Sequence, residues 1–201
     1  MSELGVNRTT PRGDSRPVRV VSAVAGDQWG VIHERQLRGV GVSATTIDRW
    51  AATGWLFEKY PGVFAVGHPN LPPEGLLTAA LFHAGRGAAL SHMVGAWWWK
   101  LTTREPPTIE ISVPHSCSRS APDIILHRRR QFDRTFYRRL PVTTLPLTLR
   151  DYATTESLED VRYVLAEAEY YHDVDLDVVW RACGRGRPGS AMLTRALKLH
   201  D

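Results

Sequence analysis

The stretch from Trp29 to Gly67, WGVIHERQLRGVGVSATTIDRWAATGWLFEKYPGVFAVG, leaves few folds open to this chain. It runs through a short periodic segment, a glycine-bearing turn, a second helically spaced segment and two β-rich runs around Pro61-Gly62. The first segment predicts a helix over about 31–38, ended by Gly39 and Gly41, which supply the permissive backbone a helix C-terminus and tight turn require. Ser43 is placed to cap the next helix, and Ile47, Trp50 and Ala51 at i, i+3 and i+4 form its buried stripe. Thr45, Thr46, Asp48, Arg49 and Thr53 then point outward. Gly54 ends that helix, and WLFEKY and VFAV fold into a hairpin about Pro61-Gly62. Helix, turn, capped helix and hairpin are the parts of a winged helix-turn-helix, expected here over 18–68.

The physical logic of that arrangement is that a helix fits the major groove, where side chains near its N-terminal end read base edges while neighbours hold phosphates. Thr45, Thr46 and Arg49 are the expected readers of duplex DNA. Ser43 and the wing residue Lys59 are placed for backbone contacts, which position a protein without specifying sequence. The competing reading is a helical hairpin used only for packing; the joint presence of turn, cap and wing favours DNA.

Across 201 residues, 43% of them apolar with seven tryptophans, there is material for one large or two small cores. Residues 1–17 form a polar tail, expected to be disordered, with no apolar leader segment. No run approaches the length of a membrane span, so a cytoplasmic protein is expected. Cys117 and Cys183 are far apart and belong to no Cys-x-x-Cys pair, which indicates neither a disulfide framework nor a zinc site. The net charge of +4 is uneven, with the basic excess in 74–149 and an acidic final third. Much of that excess is one cluster, Arg128, Arg129, Arg130, Arg134, Arg138 and Arg139, dense enough to attract a polyanion or an acidic partner surface. The alternative is a hairpin edge guarded by charge against aggregation.

Pro69-Asn70-Leu71-Pro72-Pro73 interrupts the periodicity and marks the expected boundary of a second, α/β domain over 74–201, making the whole chain α+β. There, Leu76, Leu77, Ala80, Leu81 and Ala84 share a helical stripe, and a further helix follows over about 91–101. Strands are expected over 108–113, 124–126 and near 140–143. Ser157 caps a helix with stripe Leu158, Val161, Leu165 and Ala168, and shorter helices start near Leu176 and Pro188.

Several motifs invite chemistry and fall short. Gly184 to Gly189, GRGRPG, matches a dinucleotide fingerprint but follows a helix rather than a strand. His33-Glu34 resembles the start of a zinc-protease helix, yet Leu37 stands where the second histidine belongs. His92, beside Ser91, could serve as a base, but with no matching nucleophile and carboxylate it reads as structural. Trp97, Trp98 and Trp99 point in three directions about 100° apart on a helix, and are expected to be buried between layers. Neither catalytic residues, metal ligands nor a cofactor are assigned.

With VSATTIDRWAATGWLFEKYPGVFAVG, ALSHMVGAWWWKL, and LPVTT followed by Thr148-Leu149 and Asp151, the chain resembles the AbiEi-type antitoxins of type IV toxin-antitoxin systems from about Val18 onward. The resemblance implies an N-terminal winged helix that represses its own promoter, in DNA carrying inverted repeats, and a C-terminal α/β domain that neutralises a nucleotidyltransferase-like toxin. Arg128, Arg129, Arg130, Arg138 and Arg139 are the expected partner contact. Leu147 stands where relatives commonly carry an arginine. A similar N-terminal architecture also precedes Vsr-like endonuclease domains, so the alternative is the regulatory, DNA-binding half of such a nuclease, whose metal-holding residues are not found in this sequence.

Overall fold

The computed structural model describes residues 15–115 and 121–200. Residues 1–14 of the expected tail, and Cys117, lie outside them, whereas Arg16 and Pro17 are already helical. The chain is α+β and divides into two compact units, Met1–His83 and Ala84–Asp201.

In the first unit, α1 (Ser15–Gly26) precedes β1 (Val31–His33), α2 (Glu34–Gly39), α3 (Ala44–Ala52), the β2 (Leu56–Tyr60) and β3 (Val63–Val66) hairpin, and α4 (Pro73–Ala84). Within the winged domain expected over 18–68, the spacing of 18–28 predicts no element, yet α1 buries Val18, Val21 and Ala25 in the core at helical spacing. The helix expected over 31–38 begins later. Val31 and Ile32 are fully buried in a strand that pairs antiparallel with β3, because a short apolar run has no period of its own and the neighbouring edge decides. His33 then caps α2: its ring Nδ1 accepts from Arg35 N at 3.0 Å, and the Gln36 side chain accepts from His33 N at 3.0 Å. The three strands form an antiparallel sheet in the order β1-β3-β2.

Trp50 and Trp55 meet edge to face at 4.4 Å in a core completed by Leu37, Ile47, Leu56 and Phe64. Ala51, expected in the stripe of α3, is exposed: Ile47 and Trp50 alone fill the inward face of so short a helix. The Pro-rich segment 69–73 is a turn inside this unit, and α4, expected to open the second domain, belongs to the first. Gly75 lets α4 approach closely, since a Cβ there would meet Trp29 O at 2.7 Å, and the His83 ring stacks on Tyr60 at 4.8 Å.

The second unit holds a five-stranded sheet, ordered β6-β5-β4-β8-β7, built from β4 (Ala89–Leu90), β5 (Ile109–Pro114), β6 (Ile124–Arg129), β7 (Arg134–Tyr137) and β8 (Leu140–Thr143). The pairs β5·β6 and β4·β8 are parallel, whereas β4·β5 and β7·β8 are antiparallel. Helix α5 (His92–Trp98) follows β4, and α6 (Leu145–Tyr152), α7 (Leu158–His172), α8 (Leu176–Ala182) and α9 (Ser190–Lys198) complete the unit. Strands β4 and β7 and helix α6 were not expected from sequence.

Trp98 and Trp99 are buried and donate their indole N–H groups to Tyr137 O at 2.8 Å and Thr143 O at 3.0 Å; Trp97 is half-buried. Ser157 caps α7, accepting from Asp160 N, above a stripe of Val161, Val164, Leu165 and Ala168, while Leu158 stays half-buried. The last helix starts at Ser190, two residues after the expected Pro188, with Gly189 at φ +77° in front of it. A Cβ on Gly189 would sit 1.8 Å from Arg150 O, so glycine there permits backbone contact between α9 and α6. Among the described residues no helix is long and apolar enough to cross a membrane.

Candidate functional sites

Two places gather exposed or convergent polar chemistry, one in each unit. In the first, the α2–turn–α3 segment presents a polar helix face. Ser43 has extended backbone and its Oγ accepts from Thr46 N at 3.2 Å, which satisfies one orphan donor of α3. Thr46 is half-buried, with its hydroxyl 2.9 Å from Ser43 Oγ. Thr45 and Arg49 are exposed, as are Asp48 and Thr53, although the Thr53 hydroxyl turns back to Arg49 O at 3.0 Å. Lys59 is exposed on β2, its ammonium 5.6 Å from the Tyr60 ring centroid. The hairpin tip is fixed by Gly62, at φ +72°, whose N–H donates to Glu58 Oε1 at 2.9 Å. The fold thus leaves Thr45, Arg49 and Lys59 exposed and brings the Ser43 and Thr46 hydroxyls together.

The arginine cluster of the second unit does not form the single hairpin edge its spacing suggests. Strands β6 and β7 are opposite edges of the sheet, joined by residues 130–133, so Arg128 belongs to one edge, Arg130 to the connection, and Arg134, Arg138 and Arg139 to the other edge and its turn. Arg138 and Arg139 both have positive φ in the tight turn that pairs Tyr137 with Leu140, and the Arg138 guanidinium lies 4.4 Å over the Trp98 ring. Arg129 is not a free surface contact at all. Its Nε donates to Ser112 Oγ at 3.1 Å and its Nη2 pairs with Asp151 Oδ2 at 2.8 Å.

Arg129 leads into the second site. Alternation along β5 and its parallel register with β6, Ser112 opposite His127, put Glu110, Ser112, His127 and Arg129 on one face of the sheet. The other face carries the buried Ile111 and Val113. Where β4 gives way to α5, His92 lies across the same face, its ring stacked on His127 with centroids 3.5 Å apart and planes 18° from parallel. His92 adopts φ +53°, a left-handed conformation that non-glycine residues adopt only when their surroundings hold them in it. Its Nδ1 is 3.0 Å from Ser91 Oγ. Glu110 Oε1 is 3.1 Å from His127 Nε2, and its Oε2 accepts from Met93 N at 3.0 Å. Asp151 and Arg150 on α6 flank the group, with Arg150 Nη1 donating to Ala182 O at 3.2 Å. His92, His127, Arg129, Arg150 and Asp151 line a cleft of about 460 Å³, beside a larger one of about 930 Å³ that shares Arg129 and Arg150 and adds Arg181 and Arg187.

Burial, reinforced by His127, Arg129 and Arg150, holds the His92 pKa down to about 2, so its imidazole is neutral throughout the physiological range. Burial raises Asp151 against the pull of Arg129, and burial lowers Arg150. This site was invisible as a unit in the sequence, where His92 was assigned a structural role. Glu110 sat unnoticed in an alternating strand, His127 was masked by the basic run around it, and Asp151 was quoted only as part of a resemblance. Alternation in 108–113 was the one available signal, because it places Glu110 and Ser112 on a common face.

No family model and no curated protein matches this chain. Its fold is similar to that of the crystal structure of RV2827C protein from Mycobacterium tuberculosis, with a TM-score of 0.60 over 93% of this chain and 78% of that one, at 20% identity.

Proposed function

We propose that this protein is a DNA-binding transcriptional autorepressor and an antitoxin of the type IV kind, counteracting a nucleotidyltransferase-like toxin. The observation that carries the reading is the Ser43-capped helix α3, which holds Thr45 and Arg49 exposed near its outer end, followed by a hairpin bearing Lys59. A helix of this kind inserts into the major groove while the hairpin follows the adjacent backbone, which is the mode of a winged helix-turn-helix. The antitoxin half rests on the resemblance of the chain to AbiEi-type proteins and on a second folded unit larger than a reading head needs. Arg128 on edge strand β6 and Arg130 just after it are its charged contacts for a partner, both exposed, while Arg129 is committed to Asp151.

Gel shifts on the protein's own promoter test the DNA half. Arg49→Ala is expected to cost about 1–3 kcal/mol if Arg49 reads a base, and Lys59→Ala to weaken all sequences alike and flatten the salt dependence. Unchanged shifts after joint replacement of Thr45, Arg49 and Lys59 would refute it. For the antitoxin half, charge reversal at Arg128 and Arg130 is expected to abolish rescue from the toxin with operator binding intact. Lost operator binding with intact rescue would assign these arginines to DNA instead.

A further inference from the structure

The larger cleft of the second unit has no part in the function proposed above, and its charge is out of balance. Its wall carries Arg129, Arg150, Arg181 and Arg187 against one carboxylate, the exposed Asp133. Asp151 is held 2.8 Å from Arg129 Nη2, and Asp175 lies 3.9 Å from Arg181 on exposed surface. Arg150 is poorly compensated. It is buried, its Nη1 donates to Ala182 O at 3.2 Å, and its Nη2 stands 3.7 Å from Asp151 Oδ1, beyond hydrogen-bond reach. Among the described residues its Nε has no acceptor. Burial, then the like charges of Arg129 and Arg187, draw its pKa down against the pull of Asp151. A buried cation short of partners is costly unless something neutralises it. Arg187 reaches the cleft from the GRGRPG turn, where its N–H donates to Gly184 O at 3.1 Å and its side chain folds over Gly184, on which a Cβ would meet Arg187 Nε at 2.8 Å.

We infer that this cleft binds a phosphate dianion carried by a small molecule, the phosphate lying among Arg150, Arg181 and Arg187 and the apolar part of the molecule against Phe132, Leu147 and Val178. Helix α6, helix α8 and the turn before α9 each deliver one of the three guanidinium groups. Guanidinium forks match phosphate oxygens two at a time, and a phosphate monoester offers three terminal oxygens and a charge of about −2 near neutral pH. A carboxylate, with a single charge and fewer oxygens, answers fewer of these groups. Arg129 stays with Ser112 and Asp151 and acts on the ligand through its charge. The cleft, of about 930 Å³, falls in the range of small-molecule sites, roughly 300–1,000 Å³. Its Phe132, Pro146, Leu147 and Val178 wall is apolar, which a bare ion would leave unused. The site stands apart from the DNA contacts on α3 and from Arg128 and Arg130, so its failure would leave the proposed function untouched.

The test titrates the full chain calorimetrically with adenosine monophosphate, inorganic phosphate and adenosine. Adenosine monophosphate is expected to bind at one equivalent, inorganic phosphate to compete for the same site about tenfold more weakly, and adenosine to give no measurable binding. Arg181→Gln and Arg187→Gln, both at exposed positions, are each expected to weaken adenosine monophosphate by about tenfold, and together by about a hundredfold. Arg185→Gln removes an equal charge from the same turn but outside the cleft wall, and is expected to leave binding within about twofold of wild type. The wild type gives a readout that needs no variant: the backbone amide signals of Leu147, Arg150, Gly184 and Arg187 are expected to shift as adenosine monophosphate is added. Absence of uptake of both phosphate-bearing probes, a loss in Arg185→Gln equal to that in Arg187→Gln, or amide signals that stay in place overturns the inference. Inorganic phosphate binding as tightly as adenosine monophosphate overturns the small-molecule carrier. Uptake confined to a single-stranded oligonucleotide and lost in Arg187→Gln overturns the inference in favour of nucleic acid.

Discussion

The two units bury different kinds of side chain. In the first, the core around Trp50 is hydrocarbon and indole, and among its described residues the buried polar side chains are Thr78 and His83, both on α4. In the second, Ser91, His92, Ser112, Thr143, Thr148, Arg150 and Asp151 are all buried around one side of a sheet. The first unit keeps its polar chemistry outside, on α3 and the hairpin, where groups are already solvated and are free to exchange water for a ligand. The second encloses its polar chemistry, where each group depends on its neighbours. A polar substitution should therefore be cheap in the first unit and expensive in the second.

The largest expected effect is at Asp151. Asp151→Asn removes the carboxylate that lies 2.8 Å from Arg129 and 3.7 Å from Arg150, leaving two guanidinium groups short of compensation in a mostly buried site. A loss of about 3–5 kcal/mol in denaturant unfolding at neutral pH is expected. A loss under about 1 kcal/mol would mean that water already reaches these charges, and the contrast between the units would weaken. A smaller effect is expected at Thr148, whose hydroxyl lies 2.7 Å from Thr143 Oγ1 and donates to Thr143 O at 2.9 Å. The isosteric Thr148→Val should cost about 1–3 kcal/mol, measured by the same unfolding curve. The same chemical change in the first unit, Thr45→Val, should stay within about 0.5 kcal/mol of wild type, since Thr45 is exposed. Its effect belongs in the gel shift rather than the melt, and a stability change as large as that of Thr148→Val would break the comparison.

The same contrast explains what could be read in advance. The turn, cap and hairpin around α3 are local: Ser43, Gly54 and Pro61-Gly62 each act within a few residues, so the string of letters carries the geometry. Where local signals were ambiguous, the reading slipped. Val31-Ile32 has no period to separate strand from helix, and only pairing with β3 settles it. The segment 128–139 looked like one basic patch because sequence distance is silent about which strands pair, and β6 and β7 pair with different neighbours. Glu110 and His127 meet only through the parallel register of β5 and β6, and His92 reaches them across a chain reversal. None of these three meets either of the other two within the reach of a local motif. Within the first site, the hydroxyl of Thr46, one of the expected readers, also lies against the cap residue Ser43, a contact the spacing alone does not announce.

The GRGRPG stretch matches a dinucleotide fingerprint in letters but not in setting, and Gly189 within it has a packing task. With only a hydrogen between α9 and the carbonyl of Arg150, these two helices meet backbone to backbone, with no side chain to act as a cushion. The tolerance of that joint is set by covalent geometry, and a displacement of the last helix is handed directly to the residue that precedes Asp151. Pro188, just ahead of this helix, lines the cleft itself. A side chain at Gly189 would push on the backbone of Arg150, the neighbour of Asp151, and so would strain the cleft without touching either histidine.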